Sequence, residues 1–298
     1  MMKRNKSRIE TKTSRTAEYT CMSRAASYME KRECYKGTDN ISYMLVPGFI
    51  KLILRFPRLC QLYHKLFAAK GIYEYVIART KYIDSVFIDA LEKGFHQIVI
   101  FGAGFDSRAQ RFNHLNRLTR IFELDAPITQ EEKRKAFKEK NIMIPENLIF
   151  VPINFNKERL AEKLADAGFE EGRKSLFLLE GITMYLSDDT IDGTFSYIRD
   201  VSGKGSWIVF DYIYAGVLRQ ENTYYGEKDA LTMVLKVGEA WSFGLEEGEI
   251  EDFLHRYGFR LKDQTNAQDL EEKYFKNPEG KIVGKINGTH SIVTGIKA

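Results

Sequence analysis

Ile98-Val99-Ile100-Phe101-Gly102-Ala103-Gly104-Phe105-Asp106-Ser107-Arg108 is the stretch that decides the fold. Four apolar residues run directly into Gly-Ala-Gly, the pattern of a buried strand that ends in a tight turn. About twenty residues on, as in nucleoside-binding sheets, Ile121-Phe122-Glu123-Leu124-Asp125 gives a second strand that ends in acids. A glycine turn after one parallel strand and a carboxylate at the tip of the next hold a nucleoside in an α/β sheet. The backbone approaches the ligand closely and the acid takes the ribose hydroxyls. The chain is therefore expected to bind an adenosine-containing cofactor.

Outward from this point, strands and helices alternate. Strands are expected at 97–102, 119–124, 148–153, 175–180 and 205–212, with helices at 127–140, 156–168 and 187–201 between them. Ser187, three residues before Thr190, is the natural cap of the last of these helices. Near-continuous apolar strands separated by helices imply a parallel sheet covered on both faces. Residues 213–245 hold three tyrosines and little periodicity. A helix at 246–256 ends near Gly258, and strands at 258–263 and 290–296 flank a polar stretch. The expected class is α/β, Rossmann-like, with a mostly parallel sheet of about seven strands and a helical cap at its N-terminal side.

That cap occupies residues 1–95 and the core 96–298. Ser14 to Glu33 reads as one helix, while Ile41 to Ala69 is apolar but broken by Pro47, Gly48 and Pro57. Ile72 to Lys93 is the clearest helix. Ile72, Val76, Ile83, Val86 or Phe87, and Ala90 or Leu91 form one stripe at a 3.6-residue period, and Gly94 closes it. Arg79 falls within that stripe, so its guanidinium points inward or toward a cleft, and a buried guanidinium needs an anion. A structural carboxylate and a ligand carboxylate both satisfy that need.

Bulk properties exclude several classes. With 298 residues and 44% hydrophobic content, the chain buries a large core. Mean hydropathy of −0.35 and a net charge of +4 are ordinary for a globular protein. The basic start (Lys3, Arg4, Lys6, Arg8, Lys12, Arg15) is read as a solvated terminus rather than a nucleic-acid arm. No apolar run reaches the ~20 residues that cross a bilayer, and no apolar core follows the initial charges as in a secretory signal. Cys21, Cys34 and Cys60 fit no CxxC pattern, which suits reduced thiols in a cytoplasmic protein and argues against zinc. The five histidines are scattered, and no protein-ligated metal is expected.

Two cofactor classes compete for the glycine turn. A dinucleotide needs a pyrophosphate seat, normally G-x-G-x-x-G, but here Gly102 and Gly104 are followed by Ser107. Asp106, at the start of the next helix, would repel a pyrophosphate. S-adenosylmethionine carries no phosphate; it presents a sulfonium, an amino group and a carboxylate. An acid near the turn and an arginine near the carboxylate suit it. Leu178-Leu179-Glu180-Gly181-Ile182-Thr183-Met184-Tyr185-Leu186 adds Glu180 at the end of a buried strand, on the edge where such sheets bind ligands.

The ordered set Arg79-Thr80, Gly102 to Arg108, Glu123-Leu124-Asp125-Ala126-Pro127 and Glu180 to Leu186 resembles the leucine carboxyl methyltransferase family. The resemblance runs from about Arg15 to the last strand. It includes Gly238-Glu239-Ala240-Trp241-Ser242-Phe243-Gly244-Leu245, similar to the family's substrate-side segment. It implies a class I methyltransferase fold with S-adenosylmethionine as cofactor and S-adenosylhomocysteine as product. Arg79 would bind the methionine carboxylate, Gly102, Ala103 and Gly104 would admit the backbone to the cofactor, and Asp125 would hold the ribose, with Glu123 beside it. Glu180 and Gly181 would line the methionine end, Tyr185 would stand near the methyl group, and Arg24 would be directed at the active site. Where the family often has Asp-Leu against adenine, this chain has Asn154-Phe155; where phosphatase-methylating members have lysine before the arginine, it has Ser23. The microbial branch, acting on small polyketide-type acceptors, is the nearer one.

The expected activity is O-methylation of a small-molecule carboxylate or hydroxyl, by a monomer or weak homodimer with no nucleic-acid or membrane partner. The helical cap and a substrate-side insertion at about 213–245, with Tyr212, Tyr214, Tyr224, Tyr225 and Trp241, are expected to form the acceptor pocket. His290, opening the last strand, is read as structural. An NAD(P)-dependent oxidoreductase and a non-catalytic cofactor-binding protein are the alternatives.

Overall fold

The structure, a computed structural model, describes residues 15–56, 68–155 and 157–298. The basic arm before Arg15, Pro57 and Cys60 lie outside the described residues. Seven strands form one sheet: β1 (Gln97–Phe101), β2 (Arg120–Asp125), β3 (Leu148–Pro152), β4 (Ser175–Leu179), β5 (Trp207–Ile213), β6 (Phe259–Thr265) and β7 (His290–Lys297). Their spatial order is β3-β2-β1-β4-β5-β7-β6. The first five run parallel, and β7 enters antiparallel between β5 and β6. The α/β class and the mostly parallel sheet are as expected, with strand ends displaced by two residues or fewer.

The helices in chain order are α1 (Arg15–Met29), α2 (Asn40–Leu45), α3 (Gly48–Leu54), α4 (Ile72–Glu92), α5 (Arg108–Phe112), α6 (Pro127–Glu139), α7 (Leu160–Asp166), α8 (Asp188–Val201), α9 (Ala215–Leu218), α10 (Glu227–Val237), α11 (Ile250–Arg256) and α12 (Ala267–Tyr274). Ser187 caps α8, accepting from the Thr190 N–H. Pro47 separates α2 from α3, since it cannot continue the first helix and suits the start of the second. Helix α12 lies in the stretch read as merely polar. Only Leu270 of it is buried, but Asn266 and Asp269 form a reciprocal capping box.

Each central strand is apolar throughout because both faces of the sheet are covered. Ile98 and Ile100 of β1 join Ile121, Leu176, Leu178 and Val209 under α4. Val99 and Phe101 join Phe122, Phe177, Leu179 and Phe210 under α7, α8 and α11. The predicted stripe of α4 is the face that packs: Ile83, Phe87, Ala90 and Leu91 are essentially inaccessible. Truncating a buried aromatic such as Phe87 to alanine costs about 3–5 kcal/mol, so this contact is a major share of the chain's stability. Helix α1 packs on α2 and α4 and reaches over the C-terminal ends of the strands. Among the described residues no helix is long and apolar enough to cross a membrane.

Candidate active site

Strand β1 has β2 on one side and β4 on the other, so the chain's order reverses between β1 and β4. Open α/β sheets bind ligands at that switch point, beyond the C-terminal strand ends. A cleft of about 720 Å³ lies there, within the size range of small-molecule sites. Gly102, Ala103 and Gly104 after β1, Asp125 at the end of β2, Asn154 and Phe155 after β3, and Glu180 and Gly181 after β4 all line it. Arg79 of α4, Thr16, Thr20 and Arg24 of α1, and Tyr185, Glu239 and Ser242 complete the wall.

The turn needs its glycines. Gly102 and Gly104 have φ of 59° and 51°, the left-handed region that side chains resist. A Cβ on Gly102 would also stand 2.8 Å from Ile182 Cδ1. Asp125 is tied to this turn: its Oδ2 accepts the Gly104 N–H, and its Oδ1 accepts the Ala126 N–H at 2.6 Å. Burial pushes its carboxyl pKa up, and the two amides oppose that.

Behind the cleft runs a chain of alternating buried charges. Asp211 of β5 pairs with Arg79 at 2.7 Å, and Arg79 with Glu180 at 3.0 Å. Glu180 pairs with Arg108 at 2.7 Å, which also holds Asp106 and, at 2.8 Å, Asp84. Asp84 continues to Arg111 at 2.6 Å, then Asp39 at 3.6 Å and Arg24 at 2.9 Å. Five carboxylates face four guanidiniums, which leaves one negative charge in excess beside the cleft. Burial works against ionising Glu180, but Arg108 and Arg79 outweigh it and hold its carboxyl below the usual range. Asp211 behaves alike: burial opposes, Arg79 and the Gly181 N–H prevail.

The expected residues mostly meet. Arg79, Gly102, Ala103, Gly104, Asp125, Asn154, Phe155, Glu180, Gly181, Tyr185 and Arg24 share one cleft. Arg79 has structural carboxylates at Asp211 and Glu180 and still borders the cleft. Arg24 is engaged: its Nε donates to Asp39 and Ser42, and its Nη2 to the Phe105 carbonyl at 2.6 Å. It ties α1 to the glycine turn.

Three expectations need correction. Glu123 does not reach the cleft; it is fully buried, bound to Lys133 of α6 at 2.6 Å. Two residues short of Asp125, it lies within the sheet rather than beyond its edge. Asp106 is not a lone charge: it pairs with Arg108, which it shares with Glu180 and Asp84, so repulsion of a pyrophosphate would come from the network's excess negative charge rather than from Asp106 alone. The aromatics of 212–241 do not line the cleft: Tyr212 and Tyr214 are core, Tyr214 stacks on Tyr224 at 4.7 Å, and Tyr225 lies half exposed against Lys285. Trp241 instead packs edge-on to His290. His290 is buried against Tyr75, its pKa lowered to about 4 by burial despite Asp211, so it is neutral and structural. The sequence motifs by themselves assign no role to Asp211, Arg108 or Glu239. An acid inside the apolar run Trp207–Ile213 was the available signal for the first.

The donor set fits S-adenosylmethionine. Arg79 Nε and Glu180 Oε1 lie close as ions without hydrogen-bond alignment, so a buried donor and a buried acceptor lack partners at the methionine end. Asp125 suits vicinal ribose hydroxyls, and the excess negative charge suits a sulfonium and an ammonium. No pyrophosphate would be welcome beside it.

The family model of leucine carboxyl methyltransferases matches residues 59–199. The Bacillus subtilis protein named "Putative S-adenosyl-L-methionine-dependent methyltransferase YktD" is 30% identical over 206 residues, covering 69% of this chain and 67% of its own. A Streptomyces avermitilis DUF574 family protein shares the fold with a TM-score of 0.59 at 11% identity, over 97% of this chain and 100% of its own. A Thermobifida fusca structure described as a "putative methyltransferase" does so at 0.58 and 14% identity, over 95% and 97%. The chain thus belongs to the leucine carboxyl methyltransferase family and is an S-adenosylmethionine-dependent methyltransferase.

Proposed function

We propose that this methyltransferase acts on an oxygen atom, carboxylate or hydroxyl, of a small-molecule acceptor. The observation that carries the reading is the set of hydroxyl and carboxylate side chains that line the cleft. Beyond Glu180 the cleft is lined by Thr16 and Thr20 of α1 and by Tyr185, Glu239 and Ser242, all oxygen-bearing side chains. Such a lining suits a small molecule better than a protein terminus. Ser23, where phosphatase-methylating relatives carry lysine, is fully buried and outside the lining. The reading includes a cytoplasmic monomer or weak homodimer without nucleic-acid or membrane partners; the free thiols Cys21 and Cys34 suit that compartment.

When bound, S-adenosylmethionine supplies an electrophilic methyl group on sulfur. The chain's task is alignment and exclusion of water, and near-attack alignment is worth roughly 7–11 kcal/mol. Asp125 would accept from the ribose hydroxyls, Asn154 and Phe155 would meet the adenine, and Arg79 with Glu180 would hold the amino-acid end. Burial raises the Tyr185 phenol pKa, so Tyr185 stays protonated and donates to the acceptor oxygen. The test uses methyl-tritiated S-adenosylmethionine with matched aryl alcohols and aryl carboxylates. Label in an ether or ester supports the reading; label on nitrogen or carbon alone overturns it.

A further inference from the structure

The stretch Trp241-Ser242-Phe243, after α10, is stapled to the short turn Thr183–Tyr185 that follows β4. The Ser242 and Phe243 N–H groups both donate to the Met184 carbonyl, at 2.7 and 3.3 Å, and the Ser242 hydroxyl donates to the Leu186 carbonyl at 2.8 Å. Tyr185 is thus bracketed by its two chain neighbours. The turn itself is anchored by the Thr183 hydroxyl, which donates to the Asp211 carbonyl. The Trp241 indole N–H is buried beside the Tyr185 phenol oxygen and has no other acceptor. The indole plane is fixed from behind. Trp241 meets His290 edge-on with ring centroids 5.3 Å apart, and His290 stacks on Tyr75 at 4.4 Å. The Thr289 hydroxyl gives its proton to Asn287 at 2.5 Å, so it accepts from His290 Nδ1 at 2.7 Å and fixes that ring.

Hydrogen-bonding capacity then decides where the Tyr185 proton points. An indole N–H can only donate. Thr16, the other side chain hydrogen-bonded to the phenol, directs its proton to Glu239 and offers Tyr185 only lone pairs. The phenol oxygen therefore accepts from Trp241 and turns its own O–H toward Thr16, into the cleft that Thr16 and Tyr185 both line. We propose that Trp241 is a positioning residue for the methyl transfer, aiming the Tyr185 O–H at the acceptor oxygen. The proposal rests on the reading that Tyr185 donates to that oxygen, and it adds what directs the donor. A phenol O–H turns freely about its C–O bond; one already held toward the cleft need not be ordered when the acceptor enters. The acceptor oxygen then replaces Thr16 as the group that takes the phenol's hydrogen bond.

The experiment replaces Trp241 with 3-benzothienylalanine, which keeps the fused rings and their packing but carries sulfur where the N–H was. The chain holds two tryptophans, so the indole N–H resonance missing from this protein is that of Trp241. In Tyr185→Phe that resonance is expected to move upfield, while the Trp207 resonance stays in place. With methyl-tritiated S-adenosylmethionine and the same aryl alcohols and carboxylates, the benzothienyl protein is expected to lose about fivefold in kcat, the scale of one hydrogen bond between neutral groups. Its KM for S-adenosylmethionine and its affinity for S-adenosylhomocysteine stay unchanged. In a Tyr185→Phe background the same replacement changes kcat by less than about twofold, because the group it directs is gone. Full activity of the benzothienyl protein, losses that add in the double variant, or a Trp241 resonance indifferent to Tyr185→Phe overturns the proposal. Any of these together with label in an ether or ester leaves the oxygen reading intact. Label on nitrogen or carbon alone, or transfer to no member of the panel, removes both.

Discussion

Asp211 Oδ2 lies 2.7 Å from Arg79 Nη1, and the carboxylate is completely buried. The same oxygen accepts the Tyr75 hydroxyl at 2.8 Å, and Oδ1 accepts the Gly181 N–H at 2.6 Å. One acid on β5 therefore fixes both the arginine at the cleft and the turn after β4. Burying these charges is costly; once buried, removing one partner strands the other.

Asp211→Asn is accordingly expected to destabilise the fold by about 3–5 kcal/mol, the cost of breaking a buried pair. A urea melt reads this directly. An unchanged midpoint would mean that Glu180 alone satisfies Arg79. In the same variant, S-adenosylhomocysteine should bind more weakly, because Arg79 and Gly181 lose their common anchor.

Gly181→Ala tests that anchor from the other side. Gly181 has φ of 65°, and a Cβ there would stand 2.9 Å from Arg79 Nη1, whose guanidinium the carboxylates prevent from moving aside. Gly94 has the same φ but open space around its Cβ. Gly94→Ala is expected to show only the left-handed backbone cost, about 1–2 kcal/mol. Gly181→Ala should lose more stability than this and, unlike the control, at least about tenfold in S-adenosylhomocysteine affinity, or 1.4 kcal/mol. Equal behaviour of the two variants in melts and calorimetry would refute the contact.

These residues mark how far the sequence could be read. Gly102, Gly104, Asp125 and Glu180 were legible because each closes a strand, and strand ends on one sheet edge converge. Arg79 was legible as a charge within the apolar stripe of α4. Asp211 had the same signal within β5, but a continuous apolar strand reads as core and masks one acid. Arg108 was not legible: its partner Asp84 lies 24 positions upstream, and such pairings follow from packing alone. Glu123 misled because strand alternation puts it on the same face as Asp125, whereas two residues deeper in the sheet its carboxylate is taken by Lys133 of α6. The tyrosines after β5 misled because aromatic density does not distinguish a pocket from a core.

Glu123 has a consequence for pH. Burial, with Asp106 and Asp125 adding repulsion and Lys133 opposing, raises its pKa to about 7. The folded state then keeps a proton that the unfolded chain releases near pH 4. Its contribution is fully present below that unfolded value and is lost as pH rises through about 7. Asp39 has the opposite sign: burial opposes ionisation, but Arg24 and Arg111 lower its pKa to about 2, so its contribution is lost as pH falls from about 4 toward 2. His290, with its pKa lowered to about 4, adds stability as pH rises from 4 toward the unfolded value near 6.5 and offsets Glu123 there. The readout is therefore the difference in slope: between pH 4 and 8 the unfolding free energy of Glu123→Gln should change with pH more positively than that of wild type, while its absolute level falls because Lys133 loses its partner. A slope unchanged by the substitution would remove Glu123 from the pH dependence.

Asp125 is the residue on which cofactor recognition turns, and Asp125→Asn separates its two duties. Both carboxylate oxygens accept backbone N–H groups, from Gly104 and Ala126, so their remaining lone pairs face the cleft in fixed directions. An asparagine places an NH2 where an acceptor is required, either against a backbone donor or against a ribose hydroxyl. S-adenosylhomocysteine affinity should fall by about 1.5–3 kcal/mol, the scale of hydrogen bonds to a charged group. Adenosine should show the same loss and 2′,3′-dideoxyadenosine little of it, because that analogue lacks the hydroxyls. Equal losses for both nucleosides in calorimetry would mean that Asp125 merely shapes the glycine turn. The ribose would then be held elsewhere in the cleft.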